Sequence, residues 1–91
     1  MALYSITYDL SNPGRDYDTL TGAIKKYGFW WHQTGSVWLI SANNTSTAVI
    51  RDYLKQFIDR NDKLFVAKLS GEWAAVGFTQ EEYDWIKSKN A

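Results

Sequence analysis

The sequence predicts an α+β domain of β-α-β-β-α-β order. It forms one four-stranded antiparallel sheet with both helices on one face, followed by a C-terminal edge segment and a short helix. Three observations predict it. Strand-like stretches at 2–8, 29–34, 36–42 and 63–69 are interrupted twice by apolar residues at helical spacing. Turn chemistry separates them. The 91 residues leave room for a single domain over 1–91, with a core at 2–70 and an extension at 71–91.

In the first strand Tyr4, Ile6 and Tyr8 alternate with Leu3, Ser5 and Thr7, the period of a strand. Asp9-Leu10-Ser11-Asn12-Pro13-Gly14-Arg15 then breaks the pattern. Asp16 or Asp18 opens a helix whose core stripe is Tyr17, Leu20, Ile24 and Tyr27, and Gly28 stops it. FWWHQT-G-SVWLISA reads as a hairpin turning at Gly35. Asn43-Asn44-Thr45-Ser46 offers caps for a second helix over 46–58, with Ile50, Tyr53 or Leu54, and Phe57 facing inward. Asp59-Arg60-Asn61-Asp62 turns the chain into the last strand. Residues 71–78 read as a possible extra edge strand, and Thr79-x-x-Glu82 is a capping box that starts a third helix ending near Lys89.

Composition narrows the function classes. Apolar residues are 45% and charged residues 22% of the chain, which excludes a disordered polypeptide. There is no cysteine, which removes disulfides and thiolate metal sites. The five Trp, six Tyr and four Phe must then supply the core or an interface. Formal net charge is zero, which argues against a generic DNA binder. No apolar run approaches the ~18 residues of a membrane span, and the opening MALYSITYDL lacks the features of a signal peptide, so a cytoplasmic protein with no membrane partner is expected. With both helices on one side, the other face of the sheet is left open and needs a cover, for which a homodimer or higher oligomer is the simplest expectation.

The run YSITYDL, a helix ending KKYG and a hairpin containing GSVWLI together resemble the Cas-two-like family of small CRISPR-associated proteins and its SinR-like and VapD-like stand-alone relatives, over roughly residues 3 to 70. The resemblance implies a ferredoxin-like fold, a homodimer packed through the open sheet faces, and nucleic acid as partner. It also implies that an Asp at the end of the first strand binds a divalent metal beside its symmetry mate in the nuclease members. Asp9 is the matching position.

Three groups of residues carry candidate chemistry. Asp9 is either a catalytic and metal-binding carboxylate, with Mg²⁺ or Mn²⁺, or the cap of the turn that follows it. Ser11, Asn12 and Arg15 precede a helix and offer donors to a phosphate, or else form an ordinary Pro-Gly turn. Trp30, Trp31, His32 and Trp38 gather on the hairpin. Alternation puts Trp31 with Phe29 on one face and Trp30 with His32 on the other, and Trp30 is assigned to the open face. These rings stack on bases or pack between subunits. The sequence favours an oligomeric binding protein for a nucleotide-like or nucleic-acid ligand held at subunit interfaces, in the manner of phage proteins that sequester nucleotide signals, with no cofactor. A metal-dependent endoribonuclease or endodeoxyribonuclease centred on Asp9 is the first alternative, and a non-catalytic structural adaptor the second.

Overall fold

The structure, a computed structural model, describes residues 2–11, 17–70 and 72–89. Strand β1 (Ala2–Asp9) lies inside the sheet, and β2 (Phe29–Thr34), β3 (Val37–Ala42) and β4 (Lys63–Leu69) complete it in the order β2-β3-β1-β4. All three pairings are antiparallel. Ser5 stands opposite Leu39 on one side and Ala67 on the other, so the two-residue period of β1 continues across its neighbours. The expected ferredoxin-like α+β architecture is therefore present.

Helices α1 (Asp18–Lys25) and α2 (Thr47–Leu54) pack on one face. Asp18 sits in the first turn of α1, whereas Asp16 lies outside the described residues. Gly28 ends that segment at φ +88°, a conformation costly for any residue with a Cβ. Ser46 caps α2, its Oγ accepting the Val49 N–H at 3.2 Å. The expected single helix over 46–58 divides at Leu54, and residues Lys55–Phe57 tighten into a 3₁₀ turn. Tyr4, Ile6, Trp38 and Ile40 from the sheet meet Leu20, Ala23, Ile24, Ile50 and Leu54 from the helices in the main core. A fully buried aliphatic side chain of this size contributes about 1.5–3 kcal/mol. Among the described residues no helix is long and apolar enough to cross a membrane.

Two expectations change on the opposite face. Residues 72–78 form no strand (Gly71 lies outside the described residues) but run across the sheet. They lead into α3 (Gln80–Lys89), which begins with the expected capping box: Glu82 N–H donates to Thr79 Oγ1 at 3.2 Å, and Thr79 N–H to the Glu82 carboxylate at 3.4 Å. Leu3, Trp31, Leu39 and Ile86 form a second buried cluster there, flanked by Leu69, Trp73, Phe78 and Trp85. The tail is thus held by rings. Phe78 lies 5.2 Å from Trp31, Trp73 stacks on Tyr83, and the Tyr83 hydroxyl donates to the Ala75 carbonyl at 2.9 Å. The chain itself covers the Leu3 half of the face expected to lie open. Only the half carrying Thr7, Val37 and Phe65 stays bare, with Phe65 63% exposed.

Candidate functional site

Asp9 ends β1 opposite Lys63, exposed at the bare end of the sheet. It lines a shallow depression of about 140 Å³ with Thr7, Tyr8, Lys63 and Phe65. A divalent ion needs several oxygen ligands. No group of three or more His, Asp or Glu able to hold a metal occurs among the described residues. Among the described residues of one chain, then, those around Asp9 do not fit a resident Mg²⁺ or Mn²⁺.

The loop after Asp9 is committed elsewhere. Ser11 donates both its backbone N–H and its hydroxyl to Asp62 Oδ1, at 2.7 and 2.8 Å. Asp62 also accepts the Tyr17 hydroxyl at 3.1 Å and the Asp59 N–H at 2.8 Å. Desolvation pushes this carboxyl upward, but the N–H groups of Ser11 and Asp59 and the hydroxyls of Ser11 and Tyr17 outweigh it and lower its pKa to about 2. Ser11 therefore has no donor left for a phosphate. Asn12 and Arg15 lie outside the described residues.

The aromatic quartet divides across the sheet. Trp30 pairs with Ile40 and so belongs to the helical face, not the open one, while Trp31 pairs with Leu39 and lies under the tail. The cause is the hairpin register: a strand that sends Trp31 to one side sends Trp30 and His32 to the other. Trp38 is 2% exposed and its indole N–H donates to the Tyr8 hydroxyl, so it supports its neighbours from within the core and presents no surface to a ligand. His32 stacks on it at 3.8 Å. Its Nε2 lies 2.7 Å from the Gly35 carbonyl, an acceptor only, so that nitrogen carries a proton and ties the hairpin turn. Trp30 leans on Trp38 at 5.4 Å and stays 40% exposed. The Lys25 ammonium lies 5.0 Å above its ring.

Because β2 is an edge strand, side chains from both of its faces reach one groove along its rim. The groove, of about 430 Å³, is bounded by Trp30, Trp31 and His32 on the strand and by Glu81, Glu82 and Trp85 on α3. Lys25, Glu81, Trp85 and Asp62 were not among the expected site residues. Only the fold brings them to these places. Lys25 reads in sequence as one more solvated helix cation, and Trp85 as packing.

The family model described as CRISPR associated protein Cas2 matches residues 1–75 of this chain. The match takes in the whole sheet and ends before α3. No solved structure matches the chain.

Proposed function

The chain belongs to the CRISPR associated protein Cas2 family, and from that premise we propose that it is a self-associating protein that binds a nucleotide or nucleic-acid ligand at the aromatic rim of its sheet and releases it unchanged. The observation that carries this reading is Trp30, a 40% exposed indole braced from behind by Trp38, with a lysine ammonium 5.0 Å above it. Once the flexible lysine side chain swings aside, the indole face it covers stacks on a base for about 1–3 kcal/mol. A neighbouring ammonium attracts the phosphate attached to that base. Zero net charge suits a ligand met at one local patch better than a long duplex held by a basic surface. Trp30→Ala is expected to weaken nucleotide or oligonucleotide binding about tenfold or more, with the melting curve of the free protein little changed. Unaltered affinity would remove the rim from the reading.

A second reading, metal-dependent phosphodiester hydrolysis, is favoured by one observation: Asp9 is exposed at the uncovered end of the sheet, beside Phe65. Self-association there would set two copies of Asp9 near each other. Mg²⁺- or Mn²⁺-dependent cleavage of RNA or DNA, lost in a folded Asp9→Asn variant, would establish hydrolysis in place of simple binding.

A further inference from the structure

Two consecutive lysines at the end of α1 serve different surfaces. Lys25 lies over Trp30. Lys26 lines a groove of about 380 Å³ with Tyr27, Thr45, Val49 and Tyr53, residues that follow α1 or flank the start of α2. That volume falls within the range of about 300–1,000 Å³ common to small-ligand sites.

The walls of this groove are apolar and held in place. The Tyr27 and Tyr53 rings meet edge to face with centroids 6.2 Å apart, and Tyr53 also packs against Phe57 at 5.5 Å. Val49 adds an aliphatic side chain that is 57% exposed. The polar side-chain groups of the lining can all donate a hydrogen bond. They are the Lys26 ammonium, the two phenol hydroxyls and the Thr45 hydroxyl, and no carboxylate is among them. Burial, together with the neighbouring Tyr53, pushes the Tyr27 hydroxyl above its ordinary pKa, so it keeps its proton. Arg51 and Lys55 on α2 share Asp52, whereas Lys26 is exposed and has no ion-pair partner among the described residues. Flat apolar walls, one positive charge and no negative one complement a flat ring that carries an anion.

The groove also adjoins the rim. Tyr27 and Trp30 are three residues apart, so the chain holds their Cα atoms within about 11 Å of each other. Trp30, the two ammonium groups and the tyrosine groove thus lie side by side around the end of α1. A single strand of nucleic acid repeats a ring and a phosphate along its length, and aromatic rings set among cations are the kind of surface that binds it.

We propose that the groove lined by Lys26, Tyr27 and Tyr53 is a second nucleotide subsite beside the Trp30 rim, which makes the ligand a single-stranded oligonucleotide and not a mononucleotide, a proposal that rests on the nucleotide-binding reading above. Trp30 stacks on one base, the tyrosine groove receives the next, and Lys25 and Lys26 meet the phosphates.

The test is a tryptophan-fluorescence titration of the full chain with adenosine monophosphate and with 5′-phosphorylated diadenylates of the ribo and deoxyribo series. At least one diadenylate is expected to bind about tenfold or more tighter than the monophosphate, the effect of one added stacked base. Which of the two does so tells an RNA ligand from a DNA ligand. Lys26→Gln is expected to remove most of that advantage and to flatten the salt dependence of diadenylate binding by about 0.7 in log–log slope, with the monophosphate affinity and the melting temperature unchanged. Val49→Asp, which sets a negative charge in the groove at an exposed position, is expected to remove the advantage as well. Equal affinities for the monophosphate and both diadenylates, or an advantage that survives in either variant, would overturn the second subsite and leave the rim reading standing. Absence of quenching by all three ligands would overturn both.

Discussion

Asp62 shows how much a single side chain can organise. It gathers donors from Ser11 and Tyr17, residues 51 and 45 positions earlier in the chain, and closes the base of the loop that follows Asp9. Its pKa is lowered from 3.8 to about 2. The folded state thus binds the proton less readily than the unfolded chain does. The stabilisation is fully present above the ordinary carboxyl pKa and is lost as pH falls through the folded value. The melting temperature of the parent is expected to exceed that of Asp62→Asn at neutral pH, with the gap closing between about pH 4 and pH 2. A gap that persists at the acid end would contradict the latch. Trp38 is the other decisive residue: Trp38→Ala removes a ring from the core and the indole donor to Tyr8, with an expected cost of about 3–5 kcal/mol in chemical denaturation. The burial of Leu20 and Ile24 was legible in sequence because it follows from local spacing. The role of Asp62 was not, because all its long-range partners are set by the fold.

At the scale of elements, the two kinds of helix differ in what specifies them. The face of α1 and the Ser46 cap of α2 follow from signals within a few residues, and both are found where the spacing puts them. The capping box of α3 is equally local, and Thr79→Ala is expected to cost that helix about 1 kcal/mol. Its destination is another matter. Trp73, Phe78, Trp85 and Ile86 follow no single period, and nothing in their spacing says that they lie on the face of the sheet away from α1 and α2. Ile86, the one α3 residue buried in that cluster among the described residues, is the anchor. In Ile86→Ala, amide hydrogen exchange is expected to accelerate throughout α3 while β1, α1 and α2 keep their protection. Uniform acceleration over the whole chain would mean that the tail is part of one cooperative core and not a cover laid on it.

For the whole molecule, the tail leaves one end of the sheet bare and builds a groove at the edge, and these two places carry the proposals about function. The bare end presents Phe65 beside small and β-branched side chains, an apolar surface that a second copy can cover. Phe65→Asp is expected to lower the native mass measured by light scattering while leaving the fold intact. An unchanged mass would place any self-association elsewhere. The order of the elements was legible because alternation and turn chemistry are written along the strands, and the family through the resemblance carried by YSITYDL, KKYG and GSVWLI. The groove was not, since it joins an edge strand to a helix some fifty residues away in sequence. The five tryptophans provide the most direct measurement of the binding reading. In a ¹H–¹⁵N spectrum each gives one indole resonance, and titration with adenosine monophosphate should move those of Trp30, Trp31 and Trp85 while that of Trp73 stays in place. A bound nucleotide that leaves these three unmoved would contradict the account.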